Sequence, residues 1–235
     1  ISAVAKSLIN LFEFKLNKKY IIDSVSYVEK KYLGLNGGVM DQFTINHGKK
    51  NNLIFLNCLD KTHEFVRFDL DEHSLLLINS NVKHSLLHSQ YNDRVTECNN
   101  VRSLLNNYHN NHKHLAQYSL EDLDKVKDSI NQNEFNRAKF VIEENRRTIN
   151  TFHLIKEKKY KIIGDMIYKS HLGLRDLYDV SCTEIDFLVD QMMKNTNVLG
   201  SRMMGGGFGG SVLNLIKGTM NESVLETLNI KYFKS

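Results

Sequence analysis

Apolar side chains in the first part of the chain recur at helical spacing. Over residues 2–16 they fall three or four positions apart, which predicts a helix with one face directed towards the core. The same spacing predicts a second helix over Lys19–Tyr32. After residue 50 the pattern changes to short apolar runs separated by polar turns, which are typical of antiparallel strands. These runs are Leu53–Leu56, Phe65–Leu70 and Ser74–Ser80.

Helical spacing returns beyond Ser89 and continues through most of the remaining chain. The apolar face of the first helix there carries Tyr91, Val95, Cys98, Val101 and Leu105. Further helices are predicted over Leu120–Ile130, Glu134–Ile155, Tyr160–Leu177, Thr183–Met193 and Asn221–Phe233. Before the last of these, Val212–Ile216 has the length and composition of a strand. This succession of helices, a small antiparallel sheet, more helices and a late strand predicts an α+β protein.

Composition narrows the class of protein. With 235 residues, 41% of them hydrophobic, the chain can bury a substantial core. The formal charge of +4 is spread along the sequence, so we expect no nucleic-acid partner. No run approaches the roughly 18 apolar residues of a membrane span, so no membrane partner is expected. Three widely spaced cysteines, Cys58, Cys98 and Cys182, are typical of reduced thiols and favour a cytoplasmic location.

A glycine-rich loop precedes the late strand. Between Gly205 and Gly210 only Phe208 interrupts five glycines, and such a loop usually lets a ligand or another backbone come close. The letters match G-x-G-x-x-G, but a dinucleotide site needs a helix after the loop, and a strand is predicted here. The Gly-Lys-Ser/Thr of a phosphate-binding P-loop is also missing. A glycine-rich hairpin without a ligand is the alternative.

Two carboxylates are candidates for chemistry. Asp41 follows Gly37 and Gly38 at the predicted start of a short helix. It is either a helix cap or a catalytic carboxylate beside a substrate hydroxyl, and the spacing does not choose between them. Glu29, near the end of the second helix, is either a solvated glutamate or a carboxylate that reaches a magnesium ion.

Two further polar segments stand out. The third predicted strand ends in Asn79–His84, and strand ends of this kind often line clefts. An Asn/His-rich stretch at Asn106–His114 contains His109, His112 and His114. Because no cysteine or acidic partner lies at ligand spacing, we expect a solvated loop there, with no metal.

Four segments, taken in order, resemble galactokinases, a family of the GHMP superfamily of small-molecule kinases. They are Gly37–Phe43, Ile78–His84, Tyr91–Cys98 and Met204–Gly210. The resemblance runs from one end of the chain to the other. It implies a partial GHMP two-domain fold, with an antiparallel sheet and helices on both sides of an active-site cleft. Residues 1–85 would be the remainder of the N-terminal domain and residues 86–235 a C-terminal domain truncated at its end.

The resemblance also implies an activity: ATP- and Mg²⁺-dependent phosphorylation of the C1 hydroxyl of α-D-galactose to galactose 1-phosphate, the entry to the Leloir pathway. Asp41 would be the catalytic residue at the attacking hydroxyl, Gly38 and Tyr91 would bind the sugar with it, and Glu29 would bind magnesium. The loop beside the substrate and phosphate sites would consist of Gly205, Gly206, Gly207, Phe208, Gly209 and Gly210.

Some parts of the family pattern are missing from this sequence. The family carries an arginine-containing segment and a Ser-rich phosphate loop before the position matching Ile1, so we expect this chain alone to be an incomplete and inactive sugar kinase. Val95 also stands where an arginine is common in the family. We expect a cytoplasmic monomer whose partners are galactose and ATP. The alternatives are a non-catalytic galactose- and ATP-binding sensor of the same fold and an N-acetylgalactosamine kinase.

Overall fold

A computed structural model describes residues 1–34, 37–82, 87–108, 112 and 114–233. The chain divides into two compact units, Ile1–Asp69 and Leu70–Ser235. Both contain helices and antiparallel strands, which confirms the α+β class. The domain boundary after residue 85 and the cleft stay predictions. Among the described residues, none of the helices has both the length and the apolar character needed to cross a membrane.

The first unit contains three helices and a hairpin. These are α1 (Ser2–Leu11), α2 (Lys18–Tyr32), α3 (Met40–His47), β1 (Asn52–Leu56) and β2 (His63–Arg67). The Asn17 side chain caps α2 by accepting a hydrogen bond from the Tyr20 N–H at 2.9 Å. Phe43 of α3 is buried and stacks on His47 with 4.3 Å between ring centroids. The His63 ring of β2 contacts both rings edge-on at 4.9 Å, so α3 packs on the hairpin through aromatic contacts.

Helix α1 forms where the sequence predicts it, but its apolar face is not in a core. Val4 is 63% exposed and Leu11 is 73% exposed, whereas the buried residue of the helix is Ser2. The predicted core-facing orientation is therefore wrong for the described structure. Apolar periodicity identifies a helix and its apolar side, but it carries no information about which part of the structure covers that side.

The second unit is built on a three-stranded antiparallel sheet in the order β3-β5-β4. Its strands are β3 (His73–Asn79), β4 (Val198–Met203) and β5 (Ser211–Lys217). The three early strands are antiparallel as predicted, but they belong to two sheets: β1 pairs with β2, whereas the partner of β3 is β5, far away in sequence. Strand β4 was not predicted, because Gly200, Ser201 and Arg202 interrupt its apolar pattern.

Helices surround this sheet and supply most of the core. They are α4 (Leu87–Asn106), α5 (Leu120–Asp124), α6 (Gln132–Lys156), α7 (Tyr160–Gly173), α8 (Thr183–Met193) and α9 (Glu222–Tyr232). One buried cluster joins α8 to the sheet through Ile185, Leu188 and Val212, and a second joins α4 to α6 through Val101 and Ile142. The helix predicted over Leu120–Ile130 is shorter than expected, since α5 gives way to a 3₁₀ turn at Lys127–Ser129.

Helix α7 approaches β4 so closely that two glycines are required. A Cβ atom on Gly164 would lie 2.2 Å from the Leu199 carbonyl oxygen, and one on Gly200 would lie 2.1 Å from the Gly164 carbonyl oxygen. Both distances are far below van der Waals contact, and the opposing atoms belong to the backbone. This contact fixes the distance between the helix layer and the strand that leads into the glycine-rich loop.

We predict that Gly164→Ala destabilises the protein strongly. The methyl group must push α7 away from β4, and overpacking of this kind costs about 3 kcal/mol of unfolding free energy. Urea denaturation measures the change. Asp165→Ala, on the exposed side of the same helix, is the control and should change stability by less than about 0.5 kcal/mol. Equal stabilities of the two variants would show that the close approach is not a constraint.

Candidate functional site

The glycine-rich loop connects β4 to β5 as a hairpin. Its base is closed by the Met204 N–H, which donates to the Ser211 carbonyl at 2.8 Å. Within the loop, a Cβ on Gly207 would lie 2.2 Å from the Val180 carbonyl oxygen, and φ at this residue is +97°. Glycine is therefore needed for both space and conformation. The prediction that a strand follows the loop is confirmed, so the loop does not have the helix that a dinucleotide fingerprint requires at this position.

Three segments of the second unit hold the loop. The Phe208 N–H donates to the Val180 carbonyl at 2.7 Å, and the Ser80 N–H donates to the Gly210 carbonyl at 2.8 Å. On the third side, the Tyr91 ring of α4 lies 3.8 Å from the position of a Cβ on Gly206. Three of the four segments that resemble galactokinases therefore meet here. Lys83 and His84, at the end of the second segment, lie outside the described residues.

One side of the loop is open. Gly205 and Gly206 are exposed, and a Cβ on Gly205 would meet no atom within 4 Å. Tyr91 is half-buried beside this stretch. An exposed glycine backbone next to a phenol combines an approachable main chain with a hydroxyl that donates and accepts hydrogen bonds, which suits a small ligand rich in hydroxyl groups.

The first unit presents Gly38 and Asp41 at the start of α3. Asp41 lies in the first turn of this helix and is exposed, while the N-cap position belongs to Val39, which makes no side-chain capping bond. The structure therefore removes the interpretation of Asp41 as the N-cap, although its charge is favourable beside the positive end of the helix. Gly38 is exposed and has open space where a Cβ would stand. Asn36 lies outside the described residues.

Glu29 of α2 contacts the residue that follows Asp41. Its Oε2 accepts a hydrogen bond from the Gln42 side chain, which ties α2 to α3 at this point. The bond engages one oxygen of a half-buried carboxylate and leaves the second oxygen outside that contact. Because Mg²⁺ is usually held by one or two carboxylates together with water and substrate phosphates, a single glutamate fits as a partial ligand.

A network of charged residues in the second unit was not predicted. Arg137 of α6 is 3% exposed and donates to Glu97 at 3.2 Å, to Asp179 at 2.9 Å and to the Leu177 carbonyl. Arg94 of α4 donates to the same two carboxylates, at 3.2 Å and 2.8 Å. The sequence offered one signal: an arginine lies between Phe135 and Ala138 on the apolar side of a predicted helix.

Cys98 lies beside this network. Burial, as the largest effect, raises the pKa of its thiol to about 11. Burial also raises the pKa of Tyr178, with which Cys98 shares a hydrogen bond. A thiol with this pKa stays protonated at neutral pH and is a poor nucleophile, so Cys98 is a packing residue.

The histidines of the Asn/His-rich segment do not form a site in the described part of the chain. His112 contacts the Tyr118 ring edge-on at 4.8 Å, and His114 precedes a 3₁₀ turn at Leu115–Gln117. His109 lies outside the described residues. Within the described residues, no group of three or more histidine, cysteine, aspartate or glutamate side chains is placed to hold a metal ion.

Comparison with known proteins identifies the family. Residues 151–233 match the family model described as GHMP kinases C terminal. A structure described as Lactococcus lactis galactokinase complexed with galactose has a TM-score of 0.93 and 27% sequence identity, over 99% of this chain and 60% of that one. Residues 151–233 therefore form a GHMP kinase C-terminal domain, and the chain as a whole resembles galactokinase. The resemblance that the four segments suggest is thereby confirmed at the level of the family.

The curated relatives of this chain include proteins named galactokinase. That of Thermotoga neapolitana is 37% identical over 230 residues, covering 98% of this chain and 63% of the relative. That of Fusobacterium nucleatum is 33% identical, covering 95% of this chain and 58% of the relative. The chain thus spans less than two-thirds of their length. A structure of L. major mevalonate kinase in complex with R-mevalonate, 16% identical with a TM-score of 0.57, shares the fold.

Two neighbouring glycines of the loop should respond differently to alanine. Gly207→Ala adds a methyl group against the Val180 carbonyl at a positive φ, and we expect it to cost about 2 kcal/mol or more of stability. Gly206→Ala adds one at van der Waals distance from Tyr91 without a positive φ, so the cost should stay below about 1 kcal/mol. Urea midpoints of the two variants test this order. A reversed order would mean that the loop has a different conformation.

Proposed function

We propose that this protein functions as a galactokinase, which transfers the γ-phosphoryl group of ATP to the C1 hydroxyl of α-D-galactose. In this reaction the C1 oxygen forms a bond to the γ-phosphorus, the bond to the oxygen of ADP breaks, and the hydroxyl proton is released. The observation that carries the proposal is the position of the Tyr91 ring beside the exposed glycine turn at Gly206, in a chain that closely resembles a galactose-bound galactokinase.

Tyr91 is proposed to contact the sugar, and the loop is proposed to lie beside the substrate and phosphate sites. The phenol of Tyr91 would hydrogen-bond a galactose hydroxyl, because a half-buried phenol has a fixed ring and a polar tip. The residues from Gly205 to Gly210 would offer backbone groups to the substrate. Since phosphoryl transfer depends mostly on positioning and on charge stabilisation, a loop in which five of six residues are glycine, with its backbone open to a ligand, suits this role.

Asp41 is proposed to face the attacking hydroxyl. Its exposure and its place in the first turn of α3 support this role, because a carboxylate there is available to a ligand and is not used as the N-cap. It would accept the hydroxyl proton or orient the hydroxyl electrostatically. Gly38 would contact the sugar through its backbone, which is exposed and has no side chain in the way.

Glu29 is proposed as a ligand of magnesium. The ion would neutralise charge on the ATP phosphates. The hydrogen bond from Gln42 would hold the glutamate carboxylate in a fixed orientation, as hydrogen-bond partners of metal ligands commonly do. We further propose that the partners of the protein are its small-molecule substrates, galactose and ATP, that it acts as a monomer in the cytoplasm, and that ATP and Mg²⁺ are its cofactors.

Asp41→Asn tests the reaction. In the full-length natural protein, we expect galactose-dependent formation of ADP from ATP to fall by a factor of about 10² or more. Galactose binding, measured by calorimetry, should remain within a few-fold, because the asparagine keeps the shape of the side chain. Asp124→Asn, an exposed carboxylate of α5, is the control and should keep full activity.

Three outcomes would contradict the proposal. If the natural protein binds galactose without phosphorylating it, the protein is a sensor. If it prefers N-acetylgalactosamine by kcat/KM, the substrate assignment is wrong. If Asp41→Asn is as active as the natural protein, the role given to this carboxylate is wrong.

Glu29→Gln tests the magnesium ligand. The glutamine can still accept the hydrogen bond from Gln42, so the substitution removes charge and preserves this contact. We expect the Mg²⁺ concentration for half-maximal activity to rise by about tenfold, as for loss of a metal-ligand interaction, with an unchanged melting temperature. Glu13→Gln, an exposed glutamate between α1 and α2, is the control. An unchanged Mg²⁺ dependence in Glu29→Gln would exclude this ligand.

A further inference from the structure

We propose that Arg94, Glu97, Arg137 and Asp179 form a positioning network that holds Tyr91 and the glycine-rich loop in a fixed relation to each other. The inference rests on the proposed function, because the groups that it positions are those assigned to the sugar. None of the four residues is proposed to be catalytic. Their effect on the reaction would pass through Tyr91 on one side and through Val180 on the other.

Asp179 is the point where the network joins the backbone. It ends the π-helical turn Leu174–Tyr178 in a left-handed conformation with φ of +56°. Its Oδ2 accepts hydrogen bonds from Arg94 at 2.8 Å and from Arg137 at 2.9 Å. Its carbonyl oxygen also accepts from Arg94, at 3.1 Å. Two arginines on different helices therefore fix both the side chain and the main chain of this residue.

The next residue holds the loop. The Val180 carbonyl accepts the 2.7 Å hydrogen bond from the Phe208 N–H, and the same carbonyl is the atom that a Cβ on Gly207 would strike. The tightest contact of the loop is thus made by the residue directly after the charged network. A shift of the backbone at Asp179 would move Val180, turn its carbonyl away from the Phe208 N–H and release Phe208.

The second connection runs along α4. Arg94 follows Tyr91 by three residues, so the two side chains lie on the same side of the helix. Arg94 binds Asp179, and the Tyr91 ring lies 3.8 Å from the position that a Cβ on Gly206 would occupy. The neighbouring groups therefore form a closed path, which passes from α4 through Asp179 and Val180 to the loop and returns through Tyr91. A closed path restricts the distance between the tyrosine and the loop more than either connection alone.

The fixed directions of guanidinium hydrogen bonds explain why charged residues are used here. Arg137 is 3% exposed, and its guanidinium reaches Glu97, Asp179 and the Leu177 carbonyl at the same time. A guanidinium offers donors in a planar fork, which fixes directions that an apolar side chain of equal volume leaves free. Two arginines are balanced by two carboxylates. Asp179 is the exposed member, with 63% of its side chain accessible, so its ion pairs are partly screened by water.

The test uses two variants in the full-length protein, Arg94→Gln and Arg137→Met. Each removes one guanidinium, and Arg137→Met keeps the length and apolar stem of the side chain. The matched control is Arg175→Gln, because Arg175 lies in the same π-helical turn but pairs with Asp176 and Asp190. The first measurement is amide hydrogen exchange at Phe208, which reports on the bond to Val180 without requiring a substrate.

We expect exchange at Phe208 to accelerate about tenfold or more in Arg94→Gln and Arg137→Met, and to stay unchanged in Arg175→Gln. In kinetics, the KM for galactose should rise about fivefold or more, with kcat and the KM for ATP within about twofold, because weakened sugar positioning removes binding and not chemistry. A purely structural role would lower the melting temperature without this separation of KM from kcat.

The possible failures are distinguishable. If the natural protein does not phosphorylate galactose, the proposed function fails, and exchange at Phe208 still decides whether the network holds the loop. Unchanged exchange in a folded Arg94→Gln variant overturns the inference. Faster exchange with an unchanged KM for galactose, in a natural protein that is an active galactokinase, also overturns it. Arg94→Gln keeps the test decisive if Arg137→Met does not fold, since Arg137 then still binds Glu97 and Asp179.

Discussion

The hydrogen bond between the Phe208 N–H and the Val180 carbonyl ties the glycine-rich loop to the rest of the second unit, and the candidate site depends on it. It forms only because Gly207 has no side chain, since a Cβ there would lie 2.2 Å from the same carbonyl. The requirement for glycine is therefore set by a neighbouring backbone as well as by the ligand proposed for the open side. The hairpin and ligand-site interpretations of the loop are thus compatible, because Gly207 serves the first and Gly205 is open for the second.

The first unit shows how a short helix can present a carboxylate. Asp41 does not occupy the N-cap of α3, so its charge is not used to satisfy the first N–H groups of the helix in that way. The next residue, Gln42, is buried and contacts Glu29, and Phe43 is buried against two histidines. Within one helical turn, an exposed carboxylate is thus followed by two buried residues, which hold it on a well-packed support.

Much of the fold could be predicted from periodicity, because amphipathic helices carry their pattern within a few turns. Helix α8 has the predicted bounds, and α2 differs by one residue. The pairing of β3 with β5 could not be predicted, because it joins segments separated by most of the chain and strand patterns do not specify partners. At the candidate site, the sequence segments predicted that Tyr91 and the loop take part, and these roles stay predictions. Arg137 was not predicted, because its partners lie about 40 positions away in sequence.

The close contact of α7 with β4 limits how this protein can evolve. Most steric conflicts in a core are relieved by a compensating change, in which a neighbour becomes smaller as one residue grows. Gly164 and Gly200 exclude that route, because the atoms nearest to an added methyl group are backbone atoms that every amino acid possesses. Neither glycine can be exchanged for a larger residue and then rescued by a second substitution at the other. The two positions should therefore remain glycine in descendants of this sequence that keep the hairpin in place, however far the surrounding side chains diverge.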